Sequence, residues 1–105
     1  MINEPRRMQP NDRKAQILNA AVELSIREGW GTITREKVAE AAGISAGLVT
    51  KYFISVEQLR ASVMRSAIDR EILIILADGV ALRDDIALSA PPKLRAQAIL
   101  SCMGL

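Results

Sequence analysis

Apolar residues recur along this chain at helical spacing, and no stretch alternates as a strand would. From Arg13 onward Ile17, Leu18, Ala21 and Leu24 fall at steps of three and four, with Ala20 and Val22 beside them. That spacing predicts a first helix, capped by Asn11 or Asp12 and stopped within Glu28-Gly29-Trp30-Gly31. Thr34 is the next N-cap candidate, with Glu36 and Lys37 in the first turn and Val38, Ala39, Ala41 and Ala42 following. Gly43 ends this short helix. Ser45 opens a third, which holds Leu48, Val49 and Tyr52, and Ser55 opens a fourth. Val56, Leu59, Val63, Ala67, Ile68, Ile72, Ile75 and Leu76 then form one continuous stripe, so the fourth helix is predicted to be long and to end near Asp78-Gly79. A fifth helical piece is expected over Val80 to Leu88. Pro91 and Pro92 break it, and Pro92 starts a last helix striped by Leu94, Ala98, Ile99 and Met103.

The expected fold is therefore all-α. Its centre of interest is Thr34 to Phe53: a short alanine-rich helix, a tight turn at Gly43 and a second short helix. That is the grammar of a helix-turn-helix. Ala39 and Ala42 would let the two helices approach closely, and Ile44 would plug the core beneath the turn. Ser45 would leave its oxygen and the following N–H groups facing a phosphate. In such units the second helix enters the major groove with its N-terminal residues foremost. The expected architecture is a three-helix helix-turn-helix DNA-binding bundle followed by a long helix and one or two short helices for dimerisation. Residues 1–12 read as a flexible basic arm, 13–54 as the DNA-binding region and 55–105 as a helical dimerisation region packed on it.

Composition narrows the function. The net charge of +2 is small, but its distribution is uneven. Arg6, Arg7, Arg13 and Lys14 crowd the N-terminus, and Lys51 is the only charge between Ala41 and Val56. A basic N-terminal half suits an anionic partner, and a merely solvated tail is the alternative. Trp30, Tyr52 and Phe53 are the only aromatic residues, too few for a base-stacking platform. There is no histidine, which excludes His triads and His metal sites, and Cys102 is the only cysteine. With no paired carboxylates at a glycine-rich pocket and no phosphate loop, an enzyme is not expected, and no cofactor or metal is expected. The N-terminus lacks a signal-peptide core and the longest apolar run, Ile72 to Ala77, is too short to span a bilayer, so a cytoplasmic protein without a membrane partner is expected.

The stretch from about Arg13 to Met64 resembles the TetR family of transcriptional regulators. Thr34, Val38-Ala39, Ala42-Gly43-Ile44-Ser45, Gly47, Tyr52-Phe53, Ser55 and Leu59 carry the resemblance, with Ile17-Leu18, Ala20-Ala21, Leu24 and Gly29 upstream. It implies a repressor that binds double-stranded DNA as a homodimer on a palindromic operator. Two positions depart from the family pattern. Thr50 stands where an aromatic residue usually touches the phosphate backbone, and Val56 where a lysine is common. Family members usually also carry a larger ligand-binding domain. About fifty residues follow the recognition region here, so no small-molecule sensor or inducer is expected. A self-regulating repressor on a compact replicon such as a plasmid would suit so small a chain.

The candidate DNA contacts are Arg6, Arg7, Thr34, Arg35, Ser45, Ala46, Gly47, Leu48, Thr50, Lys51 and Tyr52. Leu48 or Ala46 could meet a thymine methyl and Thr50 a base edge. Several have plainer readings: Leu48 as core, Tyr52 as half core, Arg35 as a solvated charge, Arg6 and Arg7 as aids to solubility. Ile68, Ile72, Ile75, Leu76, Leu94 and Ile99 are the candidate dimerisation residues, because a helix apolar on all sides needs a cover. The alternative function is a helical protein-interaction module that has lost DNA contact.

Overall fold

The computed structural model describes residues 9–104, and every regular element among them is a helix. α1 spans Pro10–Glu28. It begins three residues before the expected start, because proline suits the first helical position, where no N–H is needed. Asn11 and Asp12 therefore lie in its first turn instead of capping it, and Gln9 stands at the cap. The expected arm gives up its last residues to this helix; Arg6 and Arg7 lie outside the described residues. Ile17, Ala21, Val22 and Leu24 are buried on its inner face. Ser25 is buried beside them and donates its hydroxyl to the Ala21 carbonyl at 2.7 Å, which satisfies the polar group.

A single 3₁₀ turn, Trp30–Thr32, leads to α2, Arg35–Ala42. Trp30 closes the end of the core and ties three segments together. Its indole Nε1–H donates to the Arg60 carbonyl at 3.0 Å, and its backbone N–H donates to Asp78 Oδ2 at 3.1 Å. α3 spans Ala46–Tyr52, α4 Val56–Arg70, α5 Leu73–Ala81, α6 Asp85–Leu88 and α7 Pro92–Cys102. Four of these helices open on a side-chain cap. Thr34, Ser45, Ser55 and Asp84 each accept the N–H three residues on, at 3.0–3.1 Å.

The expected long fourth helix is two helices. Glu71 adopts φ 55°, its N–H donates to Ile68, and Ile72 N–H reaches back to the Ala67 carbonyl at 2.8 Å. This is a Schellman stop, with glutamate in the left-handed place where glycine is usual. The break turns α5 back against α4, where Ile75 and Leu76 become fully buried. α7 packs along α5 and covers it further. The fifth expected piece, Val80 to Leu88, is likewise divided. Arg83, at φ 58°, ends α5 before Asp84 caps α6.

Gly79, expected near the end of the long helix, instead lies inside α5 and is buried. A Cβ there would run into Met64 and come within 2.7 Å of the Ala87 Cβ. The glycine thus lets α4, α5 and α6 approach one another.

These folds-back correct the dimerisation residues. Ile75, Leu76 and Leu94 belong to the core of their own chain, and Ile68 and Ile72 are half-buried against it. Ile99 alone of the six is exposed, at 42 %. Within the apolar Ile72–Leu76 stretch, α4 and α7 cover Ile75 and Leu76 inside one chain, while Ile74 stays 50 % exposed.

Candidate nucleic-acid interface

The unit that faces outward is α2, the turn at Gly43, and α3. Gly43 sits at φ 72°, ψ 33°, a conformation that costs an L side chain about 1–2 kcal/mol. Its N–H donates to Glu40 and the Ile44 N–H to Ala39, at 3.2 and 3.0 Å, so the carbonyls at the end of α2 are used. The Ala42 carbonyl accepts from Gln16 Nε2 at 3.2 Å, and Gln16 in turn accepts from Arg13. The turn is thereby stapled to α1. Val38, Ala39, Val49 and Phe53 are buried beneath the unit, in which α2 packs on α1 and α3 packs on α2.

The outward face of α3 is small and carries no acid. Ser45, Gly47 and Lys51 are exposed. Leu48 and Thr50 are half-buried, as is Thr34 at the start of α2. Ser45 uses one lone pair to cap α3, which leaves its O–H free to donate to a phosphate oxygen. Ala46 is half-buried and packed against the core, away from the groove side on which its spacing places it, and Tyr52 is half core, the plainer of its two readings. The reason is register: Ala46, Val49 and Phe53 line the inner side of α3, and Gly47 and Lys51 the outer.

Three cations surround this face. Lys51 Nζ lies 5.7 Å from the Tyr52 ring centre, and exposed Arg35 reaches from α2 to α3. The third, Lys14 of α1, was not among the expected contacts. Its Nζ lies 5.5 Å from the centre of the Phe53 ring, which carries the charge across to the foot of α3. The crowding of Arg13 and Lys14 in the sequence was the available signal, but α1 had to fold against Phe53 for it to acquire a place. Among the described residues the ion pair formed is Lys37–Glu28, at 3.4 Å on the surface, so Lys14, Arg35 and Lys51 keep their charge for a partner.

Gly47 has open space around it. Its φ is ordinary, and a Cβ would meet nothing closer than Ser45 Oγ at 3.9 Å. A helical glycine costs about 0.5–1 kcal/mol relative to alanine. The packing of the chain itself therefore does not require a glycine at this exposed position. Gly47→Ala is therefore expected to raise the melting temperature by a few degrees while weakening DNA binding about tenfold. Thermal melts and fluorescence-anisotropy titrations on one preparation measure both; a more stable protein with unaltered DNA affinity would refute the assignment.

Among the described residues no helix is long and apolar enough to cross a membrane, and no three His, Cys, Asp or Glu side chains gather as a metal site. Two short helices joined by a left-handed turn, capped by Thr34 and Ser45 and ringed by free cations, make this a helix-turn-helix of the DNA-binding class. Residues 17–63 match the profile of the bacterial regulatory proteins of the tetR family. The segment from α1 into α4 is thus similar to the helix-turn-helix of that family of transcription regulators, over somewhat less than half of the chain. No curated protein and no solved structure gives a significant match to the chain.

Proposed function

We propose that this protein is a sequence-specific transcriptional repressor that binds double-stranded DNA as a homodimer on an inverted-repeat operator. The observation that carries this reading is the face of α3, which exposes Ser45, Gly47 and Lys51 with no carboxylate from Ala41 to Val56. In the docking geometry of this motif, α3 enters the major groove and α2 crosses the phosphate backbone. The small Gly47 allows close approach, Leu48 offers apolar contact to a thymine methyl, and Ser45 and Lys51 hold phosphates. Thr34 stands at the N-terminus of α2, where the same backbone would pass. Two such units related by a two-fold axis would sit about 34 Å apart, one turn of DNA. Occupying a promoter at that site excludes polymerase, and no further chemistry is needed.

Selection of bound duplexes from a random pool tests the proposal. An enriched inverted repeat, bound by two chains per site in a sedimentation or mass measurement, is expected. A pool that never enriches, or an enriched site without two-fold symmetry, would overturn it. Lys51→Ala separates the proposal from a protein-interaction module, because only the DNA reader should lose affinity for duplex.

A further inference from the structure

Arg35 and Thr50 lie on different helices, yet the structure joins them. Arg35 Nη1 donates to Thr50 Oγ1 at 2.9 Å, and Thr50 Oγ1 donates to the Ala46 carbonyl, one turn back on α3, at 3.2 Å. A threonine hydroxyl has one proton and two lone pairs. Here the proton is spent on α3 itself and one lone pair is spent on Arg35. Thr50 therefore has no donor to offer a phosphate or a base edge. Arg35 is in the opposite position. Of its five N–H donors one is used, and its charge meets no carboxylate, since Lys37–Glu28 is the ion pair among the described residues. The side chain is exposed, but it is tied at its tip.

We propose that Thr50 is a positioning residue and not a base reader, and that it holds the Arg35 guanidinium at the seam of α2 and α3 as the ligand of a DNA phosphate. The inference rests on the DNA-binding reading above and deepens it. A free arginine gives up rotamer entropy when it is fixed. A tether already in place before DNA arrives removes part of that loss, which is how preorganisation raises affinity. The four remaining N–H groups keep a fork that matches two phosphate oxygens. A phosphate is the ligand because α2, on which Arg35 stands, is the helix that crosses the backbone in this docking geometry. The pair also accounts for the short side chain at position 50: α3 carries the anchor and α2 carries the reach.

The test is a double-mutant cycle on the selected operator, with affinities measured across a salt series. Arg35→Ala is expected to weaken binding about tenfold, equally on all operator variants, and to lower the salt slope by about one per subunit. Thr50→Val keeps the shape of the residue and removes the hydroxyl; it is expected to weaken binding about threefold and to have no effect in the Arg35→Ala background. Thr50→Ser should restore the wild-type value. In the DNA-free protein, nitrogen NMR should show slowed rotation of the Arg35 guanidinium that Thr50→Val abolishes and Thr50→Ser preserves. Independent, additive effects of the two substitutions, or an Arg35→Ala loss confined to one base pair, would overturn the inference and leave the DNA-binding reading intact. A wild-type chain that binds no duplex would overturn both.

Discussion

Replacing Phe53 by alanine is expected to remove about 3–5 kcal/mol of stability and to lower the melting temperature by roughly 12 °C or more. Phe53 is the residue just past α3, it is 1 % exposed, and its N–H closes that helix on the Val49 carbonyl at 2.8 Å. The ring packs with the buried face that α1 and α4 share with the helix-turn-helix. An alanine would leave a cavity under the end of the recognition helix and withdraw the ring over which Lys14 sits. Phe53→Leu fills most of that space and should cost much less, about 1–1.5 kcal/mol. Urea or thermal denaturation of the two variants decides it. A loss under about 1 kcal/mol for Phe53→Ala would mean that the ring does not hold α3 in place.

The affinity for operator DNA is expected to collapse with salt. Lys14, Arg35 and Lys51 give three uncompensated cations around each α3, hence six in a dimer. Six neutralised phosphates correspond to a log–log slope of about −5, or roughly a thousandfold loss between 50 and 200 mM salt. A single chain on a half-site would give about half that slope. Anisotropy titrations at four or five salt concentrations therefore report the number of subunits as well as the number of phosphates. A slope shallower than about −1 would mean that these cations do not meet the backbone. Lys14→Ala and Lys51→Ala should each reduce the slope without changing which sequences are preferred.

The helix-turn-helix was legible because its punctuation is local. Thr34, Ser45 and Ser55 are caps whose partners lie three residues away, and Gly43 supplies the left-handed turn in the residue type that adopts it most readily. The C-terminal half uses the same stop with different residues. Glu71 and Arg83 take the left-handed place, so neither announces itself. Gly79, which looks like a stop, is in mid-helix for the sake of close packing against Met64 and Ala87. As one helix, α4 and α5 would leave Ile75 and Leu76 without a cover and in need of a second subunit; the left-handed Glu71 folds α5 back, and both are fully buried. The candidate site shows the same division. Ser45, Gly47 and Lys51 follow from the phase of a single helix. The Arg35–Thr50 pair and the Lys14–Phe53 stack join residues from different helices, and no periodicity relates them.

Trp30 sets one more relation between the two halves. Its N–H is held by Asp78 of α5, and Gly31 beside it is flanked so closely by Leu82 that a Cβ would lie 2.7 Å from the Leu82 Cδ1. The family profile ends at residue 63, short of both partners. The segment that resembles the family is thus shorter than the packed unit that holds its Trp30–Gly31 turn. A fragment cut at the profile's edge would keep the Arg60 acceptor of the indole but leave the Trp30 backbone N–H without Asp78. A gene fusion that transplants this reader would have to carry α5 with it, so the smallest portable module reaches at least to Leu82.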